Sequence, residues 1–233
     1  MIKTIILAGG YGTRLGDVTD SIPKPMVEIG GIPIIVHLMK HYAYYGHIDF
    51  YIALGYKADY ITKYFNNFNS EWNINLIDTG IDTQTGGRCK RVLKKIGNET
   101  TFLTYGDGLS DININKLLDF HKSNNKVVTV SAVHPSARFG ELHLDGERVV
   151  TFQEKPQLQT GWINGGFFVL EPDFIKYIPS EDVMLERQPL EKATHEQELY
   201  AYKHEGFWQC MDTRRDHHLL ETLWNEDNAP WKK

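Results

Sequence analysis

Through its first 134 residues the chain alternates short apolar runs with segments of helical period, and few architectures accommodate that rhythm. Thr4 to Leu7 is mainly apolar, as expected of a strand covered on both faces. Ile34, Ile35, Leu38, Met39 and Tyr42 recur at helical spacing, with Pro33 at a plausible first-turn position. Phe50 to Leu54 predicts a second strand, closed by Gly55. A helix over about Ala58 to Phe65 follows, then a strand at Ile74 to Ile77, a helix from Arg88 to Ile96 and a buried strand at Thr101 to Tyr105. Leu117, Leu118 and His121 mark the next helix, and Val127 to Val133 the next strand. This alternation predicts an α/β fold of Rossmann-like type, a mixed and mainly parallel sheet flanked by helices.

Beyond Pro135 the pattern changes. Gly140 to Leu144 and Val149 to Gln153 read as a hairpin across Asp145-Gly146. Gly165 to Leu170 reads as a strand, Pro172 opens a short helix, and Leu199 to Lys203 and Phe207 to Met211 read as two further strands. Thr213 to Trp224 reads as a terminal helix, capped by Thr213 or Asp212. No repeat or linker interrupts the chain, so one domain over residues 1–233 is expected.

Composition removes several classes of function. Lys plus Arg number 25 against 30 Asp plus Glu, a net charge of -5, and no basic tract offers a footprint for a nucleic-acid backbone. The two cysteines, Cys89 and Cys210, form no CxxC pair, which excludes zinc-ribbon and thioredoxin-type motifs. No apolar run approaches the ~20 residues of a membrane span, and the apolar N-terminus meets Gly9-Gly10 too soon for a signal peptide. A cytoplasmic enzyme is expected. His37 and His41 stand at i, i+4 but lack the metalloprotease Glu, so they read as partly exposed helix histidines. Trp208, Trp224 and Trp231 read as packing or subunit contacts.

The chemistry concentrates after the first strand, in Leu7-Ala8-Gly9-Gly10-Tyr11-Gly12-Thr13-Arg14. Glycines at the C-terminal end of a buried strand let backbone N–H groups approach phosphate oxygens. The dinucleotide fingerprint fails because position 15 is Leu15, and the Walker pattern fails for want of Lys-Ser or Lys-Thr. What remains is a glycine loop followed by an arginine able to bind phosphate bidentately. Lys24 lies a short loop away, its backbone restricted by Pro23 and Pro25.

With Pro-Lys-Pro-Met following it, this loop resembles those of the nucleotidyltransferases that activate sugar 1-phosphates. Thr85-Gly86-Gly87-Arg88, Thr104-Tyr105-Gly106-Asp107-Gly108, Phe152-Gln153-Glu154-Lys155-Pro156, Ile163-Asn164-Gly165-Gly166-Phe167-Phe168, Gly206-Phe207-Trp208, Met211-Asp212-Thr213 and the tail Ala229-Pro230-Trp231-Lys232 resemble the glucose-1-phosphate cytidylyltransferases. The likeness runs from Ile5 to Lys232. It implies transfer of a nucleoside monophosphate, most simply CMP from CTP, to a sugar 1-phosphate such as glucose 1-phosphate, with release of pyrophosphate. About 1–134 would then be the nucleotide-binding half and about 135–233 the acceptor-binding half with the C-terminal helix. The likeness also implies a homo-oligomer.

Two anions must meet in such a reaction, so positioning and charge neutralisation carry most of the catalysis. The resemblance assigns Mg2+ to Asp107 and Asp212, each at a strand end, and Arg14 and Lys24 to the triphosphate. It gives Leu7 to Arg14, Lys24, Thr83, Thr85, Gly86, Arg88 and Gly106 to the nucleotide. Arg88 would donate to the cytosine acceptors, and carbonyls near Gly9 and Gly10 would accept from its amino group. Lys155 would hold the incoming phosphate, with Glu154, Gly140, Asn164 and Gly165 around the sugar. Two departures stand out. Residues 66–73 are shorter than the matching family segment, and Ile22 stands where the family tends to place a lysine. The same chemistry with another base or acceptor, or a catalytically silent nucleotide-binding module, are the competing readings; retention of Arg14, Lys24, Asp107 and Asp212 together favours an enzyme.

Overall fold

The computed structural model describes residues 1–12, 15–16, 21–135, 141–153 and 161–233. The chain begins with β1 (Lys3–Leu7), the short strands β2 (Glu28–Ile29) and β3 (Ile32–Pro33), α1 (Ile34–Tyr44), β4 (Asp49–Leu54), α2 (Ala58–Asn66) and β5 (Asn73–Asp78). It continues through α3 (Thr85–Ile96), β6 (Thr101–Tyr105), β7 (Gly108–Ser110), α4 (Ile114–Asn124) and β8 (Val128–Val133). The hairpin strands β9 (Glu141–Asp145) and β10 (Arg148–Gln153) follow, then β11 (Ile163–Leu170) and a 3-10 turn at Pro172–Tyr177. The chain closes with α5 (Gln188–His195), β12 (Leu199–His204), β13 (Trp208–Cys210) and α6 (Arg214–Asn225).

Seven strands form one sheet in the order β12-β8-β11-β6-β1-β4-β5. Every pairing within it is parallel except the two made by β11, which runs antiparallel to both β6 and β8. The sheet is therefore mixed and mainly parallel, as the alternating pattern predicts. The apolar run of β1 shows why no period-2 pattern is visible there. Ile6 and Ala8 pack into a core on one face with α1, α2 and Trp231, while Ile5 and Leu7 pack on the other with Val92, Leu93 and Phe174. Burying both faces of a strand removes the need for polar alternation.

Side-chain caps fix the N-terminal ends of two helices. Asn113 caps α4 through its side chain, accepting from Lys116 N at 3.0 Å. Thr213 caps α6 in a reciprocal box with Asp216, which settles the choice between Thr213 and Asp212 as cap. Several elements differ from expectation, among them the short strands β2 and β3. α3 starts at Thr85, so Gly86, Gly87 and Arg88 lie in a helical first turn. β7 is a strand of three residues, and α5 is a helix of eight with Pro189 near its start, both too short to announce themselves by period.

The helix histidines are a correction. His37 and His41 are buried, and each is hydrogen-bonded through Nε2 to a backbone carbonyl, of Ile29 at 2.9 Å and Ile112 at 2.8 Å. Burial pushes His41 down to about 4, so it is a neutral packing residue. Trp231 is buried against Phe207, ring centroids 5.5 Å apart, so the aromatic tail belongs to this chain's own core. Among the described residues no helix is long and apolar enough to cross a membrane.

Candidate functional site

β1 and β6 are parallel neighbours with Leu7 opposite Tyr105, so the loops leaving their C-terminal ends meet. That is where an open α/β sheet presents its ligand crevice. A cleft of about 570 Å³ opens there. Leu7 to Gly12, Lys24, Pro25, Ile81 to Thr85, Arg88, Tyr105 to Asp107, Asn164, Trp208, Cys210 and Asp212 converge on it.

At its centre Lys24 donates to two carboxylates, to Asp107 Oδ2 and, at 2.6 Å, to Asp212 Oδ1. Strand pairing explains how residues so far apart in sequence arrive together. β7 and β13 pair antiparallel with Gly108 opposite Cys210, and Met211 N–H donates to the Asp107 carbonyl at 2.9 Å. Asp107, just before β7, and Asp212, just past β13, are thereby set at one end of the ladder. Pro23-Lys24-Pro25 contributes a 3-10 turn in which Met26 N–H donates to the Pro23 carbonyl at 2.8 Å. The Lys24 side chain is thus delivered on a stiff backbone. Burial works against the Lys24 ammonium, but the charges and hydrogen bonds of Asp107 and Asp212 outweigh it and hold Lys24 above its ordinary range. Two carboxylates aimed at one cation position form the hard-oxygen donor set that suits a divalent ion such as Mg2+. Among the described residues no third His, Cys, Asp or Glu joins them.

Arg88 is placed differently from expectation. Its guanidinium is buried and donates to the carbonyls of Leu54, Gly80 and Ile81 and to Thr79 Oγ1, at 2.7 to 2.9 Å. A Cβ on Gly9 would lie 2.3 Å from Arg88 Nη1, so Gly9 is glycine to admit the arginine. The Gly9 carbonyl accepts from Tyr56 N–H at 3.0 Å. Arg88 borders the cleft chiefly as the clamp joining β4, the 79–81 segment and the glycine loop. Thr83 and Thr85 also border the cleft. The Thr85 hydroxyl is engaged behind it, donating to Glu186 Oε2 and accepting from Leu185 N–H, both at 2.8 Å.

Two expected site glycines turn out to serve packing. A Cβ on Gly86 would lie 2.7 Å from the Val183 carbonyl, and one on Gly165 would lie 2.6 Å from Ser131 Oγ. Neither borders the cleft, unlike Gly9, Gly10, Gly12, Gly106 and Asn164. Thr13, Arg14, Gly140, Glu154 and Lys155 lie outside the described residues. Sequence reasoning passed over Glu186, which receives the hydroxyls of Thr85 and Tyr105, and Asp82, which receives the Tyr11 hydroxyl at 3.0 Å. No motif or spacing marks either one.

Comparison with known proteins identifies the family of the chain. A family model described as Nucleotidyl transferase matches residues 3–216. The chain is 44% identical to a glucose-1-phosphate cytidylyltransferase of Salmonella typhi and 38% identical to a probable glucose-1-phosphate cytidylyltransferase of Bacillus subtilis, each match covering 99% of both chains. The Salmonella typhi alignment runs over 254 positions, more than the 233 residues here, so that relative carries residues this chain lacks. Among solved structures, HddC from Yersinia pseudotuberculosis complexed with GMP-PN superposes with a TM-score of 0.77 at 27% identity, covering 96% of this chain and 100% of that one.

Proposed function

Because this chain belongs to the nucleotidyl transferase family, whose members typically use a divalent metal ion, we propose that it transfers CMP from CTP to glucose 1-phosphate with Mg2+ as the metal, releasing pyrophosphate. The observation that carries the reading is the convergence of Lys24, Asp107 and Asp212 at the mouth of β1 and β6, beside the glycine loop. The identities of base and acceptor follow the Salmonella typhi and Bacillus subtilis relatives.

The acceptor phosphate is already an oxyanion at neutral pH, so attack on the α-phosphorus requires no general base. The obstacle is repulsion between anions, and fixed positive groups lower it. Asp107 and Asp212 would hold Mg2+, which when bound supplies charge neutralisation at the phosphates. Lys24, kept cationic by its carboxylates, and Arg14 grip the triphosphate and offset charge on the departing pyrophosphate. The backbone of Gly10 to Gly12 lies against the phosphates. Arg88 holds the wall at residues 79–81 in place for the base, and Thr83 borders the base itself. Lys155 and Glu154 take the acceptor with Asn164. We read residues 1–233 as one nucleotidyltransferase domain that works in this way.

A pyrophosphate-release assay tests the proposal with CTP, UTP, dTTP and GTP against glucose 1-phosphate, mannose 1-phosphate and a heptose 1-phosphate. CTP with glucose 1-phosphate is expected to give the highest kcat/KM by at least about tenfold. Preference for GTP, the base type carried by the HddC complex, would replace cytosine with guanine. Nucleotide binding without turnover on any acceptor would favour a silent module.

A further inference from the structure

Glu186 joins two residues of the cleft wall without itself bordering the cleft. Its Oε2 accepts from Thr85 Oγ1 at 2.8 Å and its Oε1 from the Tyr105 hydroxyl at 2.5 Å. Thr85 and Tyr105 both border the cleft. Asn164 Nδ2 donates in turn to the Tyr105 oxygen at 3.3 Å, and Asn164 Oδ1 accepts from Gly166 N–H at 2.8 Å. The Tyr105 ring is held against Gly166, where a Cβ would lie 2.6 Å from its Cδ2.

These contacts have only one consistent polarity. Gly166 N–H is a donor and nothing else, so the Asn164 oxygen must face it and the Asn164 amino group must face Tyr105. Tyr105 must then accept from Asn164, which directs its own proton to Glu186. A carboxylate can receive that proton, since it accepts and does not donate. Among the described residues the second Asn164 amide hydrogen has no partner, and Asn164 borders the cleft.

We propose that Glu186 is a positioning residue for the acceptor: through Tyr105 it fixes the Asn164 amide so that an N–H faces the cleft, ready to donate to a hydroxyl oxygen of the sugar 1-phosphate. This rests on the acceptor being a sugar 1-phosphate, as above. Without the carboxylate, Tyr105 is free to turn its proton toward Asn164. The amide is then either opposed donor to donor or flipped, and a flip sets its amino group against Gly166 N–H. Either way the donor to the sugar is lost or misaligned, while Lys24, Asp107 and Asp212 keep their places.

The test compares Glu186→Leu, which keeps side-chain bulk and removes both acceptors, with Tyr105→Phe and with the two combined. Initial rates give KM for glucose 1-phosphate at saturating CTP, KM for CTP at saturating glucose 1-phosphate, and kcat, beside the thermal midpoint. Each single variant is expected to raise the glucose 1-phosphate KM about tenfold with the CTP KM changed less than about threefold. The double variant is expected to be no worse than the more affected single, because both act through one hydroxyl. Tyr105→Phe leaves the Thr85 contact intact, so it decides the matter should Glu186→Leu fold poorly. An unchanged glucose 1-phosphate KM in Tyr105→Phe overturns the proposal, as do multiplicative effects in the double variant or a loss confined to the thermal midpoint. Turnover by the unsubstituted enzyme separates this outcome from failure of the functional reading: if no sugar 1-phosphate is turned over, both fall together.

Discussion

Around one cleft, an ammonium holds two carboxylates and, elsewhere, a carboxylate holds two hydroxyls. The Lys24 centre is charged, and its carboxylates are set by the β7–β13 ladder, whose register places Asp107 and Asp212 at one end. The Glu186 centre is a single charge surrounded by neutral donors, and it reaches Thr85 and Tyr105 from a segment outside any strand or helix. The first suits work on phosphates, where charge must be neutralised. The second suits work on a sugar, where direction of hydrogen bonds matters more than charge. A site joining two such substrates needs both kinds of construction, and the fold supplies them by different means.

The comparison breaks most easily at the carboxylates. Asp107→Asn keeps the shape and removes one charge, and kcat is expected to fall by about 10³-fold or more, in the range for loss of a principal electrostatic group. A smaller loss, with unchanged dependence on Mg2+ concentration, would separate Asp107 from the metal. Lys24→Gln comes next, with a fall in kcat of about 10²-fold. It also removes the ammonium that Asp107 and Asp212 share. The thermal midpoint of the ligand-free protein is expected to drop, and added Mg2+ to restore part of it. Both carboxylate side chains are about a quarter exposed, at 27% and 25%, so the loss stays below the ~3–5 kcal/mol of a fully buried broken pair. A calorimetric scan with and without Mg2+ reads both effects.

The two centres were not equally legible in the sequence. Lys24 between prolines and Asp107 between glycines sit at strand ends, and backbone chemistry of that kind leaves a local signature. Asp212 is ambiguous by itself, a cap or a ligand; the capping box of Thr213 takes the cap role from it, and only the pairing of β13 with β7 brings it beside Asp107. Arg88 is legible as a residue of the cleft, but its hydrogen-bond partners are not. A sequence shows five donors but not the carbonyls of Leu54, Gly80 and Ile81 that reach them first. Glu186 is illegible because its partners lie 101 and 81 positions away and a carboxylate–hydroxyl contact has no characteristic spacing. The sheet was readable for the opposite reason: β1, β4 and β6 are largely buried on both faces, so adjacent apolar residues such as Ile5-Ile6, Phe50-Tyr51 and Phe102-Leu103 mark them locally.

The smallest effects on stability sharpen the contrast between glycines that serve the ligand and glycines that serve packing. At Gly10 no atom lies within 4 Å of where a Cβ would stand, and the backbone borders the cleft. Gly10→Ala is therefore expected to leave the thermal midpoint within about 1 °C while raising the CTP KM several-fold, since the methyl would enter the part of the cleft proposed for the phosphates. Gly86 is the reverse case. Its Cβ would meet the Val183 carbonyl at 2.7 Å, and its N–H donates to that same carbonyl at 3.0 Å. Moving Val183 to relieve the clash also disturbs Leu185, whose N–H donates to Thr85. Alanine in the first turn of α3 recovers up to about 1 kcal/mol of helix propensity, against about 1–3 kcal/mol for overpacking, so Gly86→Ala should cost about 1 kcal/mol net. For a chain of this size that is a fall of roughly 2–4 °C in the midpoint, with the CTP KM nearly unchanged. Were the two substitutions to exchange their signatures, Gly86 losing CTP affinity and Gly10 losing stability, the phosphate loop would have to be sought at the start of α3 and not after β1.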